Sequence, residues 1–565
     1  MRATVNLPWY DKQLVNLAHK RNKLYNKWND TKLKIDRDKY VEMRNCYNST
    51  LRFKKSNYYK DFVSENSAST KSFWQKLNPF LNPNKKQKIS VSLLSNNDNN
   101  IHSSQDLVQA FSNFFASILN KFKFMDLDNC KTFVHNSFVQ SPSLSNLLPK
   151  DLPKFDFGSI ADKTVNDLLS KINSKSAPGC VNIEAKIFKI CAVELAPVLT
   201  GLFNRCVQTN VIPDEWKTAF ITPIYKGKGN KSSLDNYRPI SILSPIAKVF
   251  EAILGQKIRI YFENNLLLHE DQHGFRAGRS CHLALNTFVD YAKHKLDSKK
   301  HVIAIFLDFS KAFDTIDHQL LLIKLEKYGF SQNALELITN YLKNRFSLVS
   351  FDGKFSTKEL LKSGVPQGSI LGPLLFIIFI NDLCHLDLIA MKTIFADDTS
   401  LLSAGNNLQK VADDLEKDLV LISDWLKHNR LLLNIKKSSA MIFKWKYQNK
   451  FDQLNTNIDA INNIEIKCDG ENVPFVQKFT LLGVTLDEYL TFDLHTIALC
   501  SKVNWKVSVL KKSSYLFDIK FRITLFKLFI ISKYDYCSSL FIYFSNNNNC
   551  ERLDKNYVKS LKIIS

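Results

Sequence analysis

The segment that most clearly indicates the fold spans residues 391–402 and reads MKTIFADDTSLL. Two adjacent carboxylates, Asp397 and Asp398, stand between two short apolar runs. This pattern predicts a strand, a tight turn and a second strand, and we name residues 395–398 the acidic turn. Two ionised carboxylates side by side repel each other, and a cation that both faced would relieve the repulsion. Asp also favours ordinary surface turns. Whether these two carboxylates form a cation site or an ordinary turn therefore depends on the other motifs of the chain.

The composition indicates an intracellular protein with a polyanionic partner. Lys and Arg outnumber Asp and Glu by 77 to 54, a formal charge of +23, which favours nucleic acid before a membrane surface. The chain of 565 residues contains 11 cysteines and no CxxC pair, which argues against a zinc knuckle and for reduced thiols. We find no secretory signal and no membrane-spanning run. The expected location is therefore the nucleus, the cytoplasm or both.

A second carboxylate follows the most strand-like run of the chain. Residues 301–307 read HVIAIFL and predict a buried central strand that ends at Asp308. A helix is expected to begin at Asp317 and to end at Gly329. If the strand before Asp308 is a neighbour of the strands around the acidic turn, three carboxylates converge at one end of one sheet.

Residues 363–373, which read SGVPQGSILGP, form a segment that we name the Gln367 loop. Its Gly and Pro residues fix an unusual backbone path, and they place Gln367, a neutral side chain that can both donate and accept, at a tightly specified position. The residues that follow, 374–383, are almost wholly apolar and predict a core helix.

Residues 219–225 and 236–241 predict two short strands joined by a loop rich in Lys and Gly. Such a loop, with Lys226 at its start and Arg238 just after it, suits an anionic ligand, because Gly lets the backbone approach while Lys and Arg donate to phosphate oxygens. An ordinary exposed loop is the alternative that the residues alone leave open.

The first third of the chain is predicted to be largely helical. Residues 11–65 carry apolar residues at helical spacing among Lys and Arg, which is typical of a phosphate-contacting arm or of a helical extension with a solvated basic face. Residues 82–104 are rich in Asn, Lys and Ser and predict a linker. A helix with Leu107 and Phe111 on its apolar face follows, and residues 125–160 are predicted to be rich in loops.

Five segments together resemble one known family. In chain order they are NYRPIS (236–241), QHGFR (272–276), FLDFSKAFD (306–314), GVPQGSILGPLLF (364–376) and FADD (395–398). They resemble the reverse transcriptase of non-LTR retrotransposons, most of all its jockey-like branch. Other segments extend the resemblance over nearly the whole chain: SAPG (176–179), LLNIKKS (432–438), LLGV (481–484) and KYDYCSS (533–539). The sequence departs from the family pattern at Ser438, where Thr is usual, and at residues 181–182, where Val-Asn replaces Asp-Gly.

The resemblance implies an α+β fold of the right-hand polymerase type, with fingers, palm and thumb behind a helical N-terminal extension. The implied domains are a basic helical connector (1–81), the linker (82–104), a helical region leading into the fingers (105–204), a reverse transcriptase domain of fingers and palm (205–486) and an incomplete thumb (487–565). An upstream endonuclease domain is expected to be lacking. We therefore expect a fragment or a truncated copy that nicks no DNA on its own.

The implied activity is that of an RNA-directed DNA polymerase, which extends a primer 3′-hydroxyl with deoxynucleoside triphosphates on an RNA template. By resemblance, Asp308, Asp397 and Asp398 would be catalytic and would hold two Mg²⁺ ions, with Mn²⁺ as an alternative. The nucleotide-binding residues implied by the family are Arg238, Lys226, Phe309, Phe313, Gln367 and Gly368.

Two of the implied roles have a plain structural alternative. Phe313 would lie under the sugar and exclude a 2′-hydroxyl, and the alternative is a core aromatic. Lys437 would act as a general acid near the pyrophosphate, and the alternative is an exposed lysine of a basic protein.

Two rival interpretations share these features. A group II intron-like maturase has the same core but should add an RNA-splicing domain, which we do not find. A catalytically dead nucleic-acid-binding remnant of such an element is the rival from another class, and the complete set of three Asp residues and the Pro-Gln-Gly segment argue against it. The expected partners are an RNA template, a DNA primer or duplex and nucleotides, with no membrane, while the oligomeric state is left open. Binding of the duplex should weaken steeply with salt.

Overall fold

The computed structural model describes residues 9–66, 95–96, 99–100, 103–117, 122–147, 152–227, 229–445, 464–514, 517–543 and 547–564. The chain divides into two compact units. One unit contains residues 1–88 and 491–565, and the other contains residues 89–490.

The described α-helices are α1 (Lys12–Thr31), α2 (Lys34–Asn66), α3 (Ser104–Ser117), α4 (Leu127–Gln140), α5 (Pro142–Leu147), α6 (Asp162–Lys171), α7 (Ala185–Ile190), α8 (Ala192–Thr209), α9 (Pro245–Asn264), α10 (Cys281–Asp297), α11 (Ala312–Thr315), α12 (His318–Lys327), α13 (Gln332–Leu342), α14 (Leu371–Phe379), α15 (Leu408–His428), α16 (Asp493–Ser513), α17 (Ile519–Phe526), α18 (Ser532–Asp535), α19 (Ser538–Tyr543) and α20 (Asn547–Leu561).

The described strands are β1 (Ser95–Asn96), β2 (Asn99–Asn100), β3 (Thr218–Tyr225), β4 (Tyr237–Ile242), β5 (His301–Asp308), β6 (Arg345–Phe351), β7 (Lys354–Phe355), β8 (Glu359–Leu361), β9 (Met391–Phe395), β10 (Asp398–Gly405), β11 (Ser439–Phe443), β12 (Lys467–Cys468), β13 (Glu471–Asn472), β14 (Lys478–Leu481) and β15 (Val484–Asp487). This mixture of helices with separate, mainly antiparallel sheets is the α+β class that the sequence predicts.

A four-stranded antiparallel sheet lies at the centre of the larger unit, in the order β11-β5-β10-β9. Strand β5 is interior, and its residues Val302–Leu307 are buried, because apolar and β-branched side chains point to both faces of a covered sheet. Strands β9 and β10 form the hairpin expected around the acidic turn. The predicted central strand and the predicted hairpin are therefore both confirmed.

The second sheet of this unit has the order β4-β3-β6-β7, with β8 paired to β6. Strands β3 and β4 are antiparallel and confirm the two strands expected on either side of the Lys- and Gly-rich loop. Helix α3 packs on this sheet, and its Leu107 and Phe111 are fully buried in a cluster with Tyr237. The ring centroids of Phe111 and Tyr237 are 5.0 Å apart, so the predicted apolar face of α3 is confirmed.

Helix α14 is the predicted core helix, but it ends at Phe379 rather than at Leu383. The Nζ of Lys324 donates to the carbonyl of Phe379 at 2.6 Å. The amide of Leu383 bonds to the carbonyl of Ile380 instead, which is the tighter i−3 pattern of a 3₁₀ turn. A buried lysine thus caps the helix one turn earlier than hydrophobicity alone suggests.

The prediction of a loop-rich segment over residues 125–160 is wrong in its first half. Helices α4 and α5 occupy this region, and Asp126 caps the start of α4. Cys130, Val134 and Phe138 recur every fourth residue and are buried, which is the periodicity of a helix. Helix α4 packs against α12 and α15. Most of the predicted linker, residues 82–104, lies outside the described residues, and its described part includes the pair β1–β2.

The smaller unit is described as two sets of helices. Helices α1 and α2 pack together, and Trp28 stacks on Tyr40 with 5.5 Å between ring centroids, so the helical prediction for residues 11–65 is confirmed. Helix α16 packs against α20, where Asn504 accepts a hydrogen bond from Asn556. In the described ranges of both units, we find no helix that combines the length and the hydropathy needed to span a membrane.

Candidate active site

The structure brings Asp308, Asp397 and Asp398 together at one end of the four-stranded sheet. Strand β9 ends at Phe395 and β10 begins at Asp398, so the acidic turn has only two residues between its strands. Asp398 lies directly opposite Asp308 on β5 in the strand register. Ala396 in the turn has φ +57°, a left-handed conformation that is uncommon for a residue other than Gly.

The three carboxylates resist ionisation, and they do so partly because of one another. Burial, together with the charges of Asp397 and Asp308, raises the pKa of Asp398 to about 6. Burial also raises the pKa of Asp397, and the charge of Asp308 adds to this, while Arg238 opposes it. Both side chains of the turn are open to solvent, although protein surrounds them on enough sides to weaken their hydration. A cation at this end of the sheet would stabilise the charged form.

Three cationic side chains, Lys226, Lys437 and Arg238, lie within electrostatic reach of these carboxylates, and Lys311 lies within reach of Lys226. Burial lowers the pKa of Lys226, and the charges of Lys311, Lys437 and Arg238 lower it further. Burial raises the pKa of Asp308, and the charges of Lys437 and Lys226 lower it. An arrangement of repelling cations beside repelling carboxylates suits a ligand that carries phosphate groups together with a metal ion.

The predicted nucleotide-binding cations differ in how free they are. Arg238 is exposed on β4. Lys226 is half-buried, and its Nζ donates to the backbone carbonyl of Asp235 at 2.6 Å. The sequence alone assigns Lys311 no role, because a lysine between motif positions of a basic protein carries no signal of its own. Its left-handed backbone, with φ +52°, marks the tight turn after β5.

The Gln367 loop is fixed by contacts to two other segments. The Nε2 of Gln367 donates to Oδ1 of Asp314 at 2.8 Å, and the amide of Ser241 donates to the carbonyl of Gln367 at 2.7 Å. Gly368 has φ +123°, and a Cβ there would lie 2.5 Å from the carbonyl oxygen of Ser241. Burial raises the pKa of Asp314. Like Lys311, Asp314 is a candidate site residue to which the sequence alone assigns no role.

The two predicted aromatic contacts have different surroundings. Phe313 is half-buried, and it stacks on Phe376 with 4.4 Å between centroids and meets Phe275 edge-on at 6.4 Å. Phe309 is buried in the core, and its backbone bridges to Leu433. The Phe313 ring is therefore a supported, partly open platform, whereas Phe309 offers only its backbone to the site.

Residues 432–438 are joined to the end of β5 by one backbone hydrogen bond and one bond to a side-chain hydroxyl. The amide of Asn434 donates to the carbonyl of Asp308 at 2.9 Å, and the amide of Asp308 donates to Oγ of Ser438 at 3.2 Å. Lys437, between them, is exposed. Ser438 supplies here the hydroxyl that the usual Thr would supply.

The donor set fits a divalent cation of the Mg²⁺ type. Carboxylate oxygens are its preferred protein ligands, and Mg²⁺ takes only one or two of them, with water and substrate phosphates completing its shell. Within the ranges that the structure describes, no three His, Cys, Asp or Glu side chains are already arranged as a cage for an ion. A site in which the carboxylates hold the ion while water and substrate complete its shell agrees with both observations.

Comparison with known proteins places this site within a family. Residues 226–486 match the family described as reverse transcriptase (RNA-dependent DNA polymerase). This range contains the three carboxylates, the Gln367 loop and Arg238. Residues 226–486 form a reverse transcriptase domain.

Relatives of this reverse transcriptase domain occur in insect mobile elements. The chain is 29% identical over 341 residues to the "Probable RNA-directed DNA polymerase from transposon BS" of Drosophila melanogaster, covering 59% of this chain and 36% of that protein. It is 22% identical over 467 residues to the RNA-directed DNA polymerase from mobile element jockey of the same organism, covering 81% and 48%. The chain thus spans less than half the length of these relatives. Homology to the jockey polymerase confirms the expected resemblance.

Proposed function

We propose that the chain is an RNA-directed DNA polymerase of a non-LTR retrotransposon, which extends a primer 3′-hydroxyl with deoxynucleotides on an RNA template. The observation that carries the proposal is the register pairing of Asp308 with Asp398 beside Asp397, at the end of a sheet within the reverse transcriptase domain. In this proposal the four-stranded sheet belongs to the palm, the β3–β4 sheet to the fingers, and residues 487–565 to the thumb.

Asp308 and Asp397 would hold two Mg²⁺ ions, with Asp398 supporting the site. When bound, the ions would lower the proton affinity of the primer hydroxyl and stabilise the leaving pyrophosphate. The chain's own residues bind and orient the nucleotide. Arg238 would donate to the triphosphate, and Lys226 would do so after exchanging its bond to the carbonyl of Asp235.

Phe313 would select the sugar. Its ring is stacked on Phe376 and cannot move away easily, so a 2′-hydroxyl above it would meet a fixed surface. Gln367 would contact the nucleotide with an amide that Asp314 already orients. Gly368 would let the backbone approach where a side chain would clash. Lys437 would give a proton to the pyrophosphate, and its position beside Asp308 supports this role.

The structure also supports a place for the nucleotide or template next to the Gln367 loop. Gln367, Asp314 and Ser241 line a cavity of about 510 Å³ together with Asn113 and Phe115 of α3. All of these residues belong to the larger unit. The cavity is large enough for a nucleotide-sized group.

Primer extension tests the proposal. The full chain is incubated with a DNA primer on an RNA template, deoxynucleotides and Mg²⁺, beside the variant Asp397→Asn. The proposal predicts template-directed extension by the unsubstituted chain and a loss of roughly 10²–10³-fold or more in the variant. Equal extension by both proteins would contradict the assignment of the site, and no extension by either would favour the dead remnant.

A further inference from the structure

We propose that Gln272 is a positioning residue that holds the acidic turn in the conformation that binds metal. The inference rests on the proposed function, because it concerns the same carboxylates. Oε1 of Gln272 accepts two backbone hydrogen bonds, one from the amide of Ala396 at 3.1 Å and one from the amide of Gly274 at 2.8 Å. The side chain is fully buried, with 0% exposure.

The backbone around Gln272 runs alongside strand β9. The amide of Ile394 donates to the carbonyl of Asp271 at 3.0 Å, and the amide of His273 donates to the carbonyl of Ile394 at 2.8 Å. Gln272 and Ile394 form a parallel bridge. The segment therefore extends the sheet at its β9 edge, which fixes Gln272 relative to the turn before its side chain makes any contact.

The acidic turn needs an external support. Ala396 is buried and has a left-handed backbone, which costs free energy for a residue with a side chain. Its amide has no partner within the two-residue turn, and a buried amide left unpaired would add to this cost. The charges of Asp397 and Asp398 also repel. A single acceptor on the Ala396 amide counters these costs and orients the residue directly before Asp397.

The fit between the two segments is close. A Cβ on Gly274 would lie 2.4 Å from the amide nitrogen of Ala396, so only Gly allows the approach. The amide of Gln272 is orientated by its two N–H partners, because only its oxygen can accept from both. Its Nε2 is buried and has no hydrogen-bond partner among the described residues. The oxygen is therefore the part of this side chain that makes the described contacts.

Two variants separate the accepting oxygen from the rest of the side chain. Gln272→Met keeps the length and removes the acceptor. Gln272→Glu keeps an acceptor for both amides and removes the unpaired donor, at the expense of another negative charge near the turn. A residue that only fills space would tolerate Met better than Glu, whereas a clamp for a cation site would tolerate Glu better than Met.

Titration of the full chain with Mn²⁺ alone, followed by electron paramagnetic resonance, tests the proposal without any turnover. Gln272→Met should weaken Mn²⁺ binding about 10-fold or more, as is typical for loss of a residue that orients metal ligands. Gln272→Glu should bind at least as tightly as the unsubstituted chain. Equal affinity in Gln272→Met and the unsubstituted chain, or no Mn²⁺ binding by the latter, would overturn the proposal.

Amide hydrogen exchange gives an independent readout. The Ala396 amide should exchange faster in Gln272→Met than in the unsubstituted chain, and at an unchanged rate in Gln272→Glu. A slow Ala396 amide in all three proteins would overturn the clamp. If the unsubstituted chain extends no primer, the proposed polymerase function fails, while the Mn²⁺ titration and the exchange rates still decide the role of Gln272.

Discussion

Aspartates of the larger unit are used in two opposite ways, at the acidic turn and at the buried pair of Lys324 and Asp382. In the buried pair, Lys324 Nζ lies 2.7 Å from Oδ1 of Asp382, and Trp425 Nε1 donates to Oδ2 at 3.1 Å. Lys324 and Asp382 are 0% and 2% exposed. At the acidic turn, by contrast, the ion pairs among the described residues include none with Asp397 or Asp398.

The two places differ in where each carboxylate finds its counter-charge. Asp382 has its cation and its hydrogen-bond donors inside the protein, so its contribution is to the folded state. The carboxylates of the acidic turn are left with raised pKa values and open to solvent, so their counter-charge must come from outside. Substitutions in the two places should therefore have opposite consequences for activity and for stability.

The largest effect is expected on activity at the site. Asp308→Asn should reduce primer extension by roughly 10²–10³-fold or more. The free energy of unfolding should stay the same or rise slightly, because one of three mutually repelling charges is removed. Single-nucleotide incorporation and urea denaturation of the same preparation measure both quantities. A variant that loses stability in proportion to its activity would contradict the contrast between the acidic turn and the buried pair.

The largest effect on stability is expected at the buried pair. Lys324→Met leaves Asp382 buried without a cation and should lower the free energy of unfolding by about 3–5 kcal/mol. Lys427→Met is the matched control, since Lys427 pairs with Asp469 at 2.6 Å but is half exposed, and such surface pairs contribute about 0–1 kcal/mol. Urea denaturation compares the two variants. Similar losses in both would show that burial of the pair does not matter.

A smaller effect on stability is expected where the segment with Gln272 and Gly274 meets the acidic turn. Gly274→Ala should lower stability by about 1–3 kcal/mol through overpacking, since its Cβ would press on the amide nitrogen of Ala396. Activity per folded molecule should fall as well, because the displaced backbone leads directly to Asp397. Thermal denaturation and primer extension at a temperature where the variant is folded measure the two effects. Full activity in the folded variant would show that the turn tolerates displacement.

The smallest effect, with the opposite sign, is expected for an exposed helical glycine. A Cβ on Gly201 of α8 would meet no atom within 4 Å, so Gly201→Ala should stabilise the protein by about 0.5–1 kcal/mol through helix propensity. Activity should be unchanged. The variant serves as the Gly-to-Ala control for residue 274, and destabilisation by it would mean that the space around α8 is not open.

The parts of the fold that could be predicted carry their signal in a short window. Strand β5 is a continuous apolar run, and the β9–β10 hairpin has its turn between two such runs. Helix α4 was missed because its buried residues stand four apart among polar ones, and the mixed composition resembles a loop. The early end of α14 could not be foreseen either, since Lys324, which caps it, comes from a distant helix.

The same limit applies to the site. The three carboxylates each follow or precede a predicted strand, so their convergence could be expected. Asp314 and Gln272 stand inside segments that were recognised, yet their partners are Gln367 and Ala396. The Gln272 contact joins residues 124 positions apart, and no local pattern encodes such a bond. Supporting residues of this kind become visible only when the strands are assembled.

Asp397→Asn and Asp382→Asn together test whether the carboxylates of the acidic turn serve activity while Asp382 serves stability. Both replace one carboxylate by an amide of nearly the same shape, and each variant is measured for primer extension per folded molecule and for its urea midpoint. We predict that Asp397→Asn keeps its urea midpoint and loses primer extension, while Asp382→Asn unfolds at lower urea and keeps extension when folded. The opposite pattern, or the same pattern in both variants, would contradict this prediction.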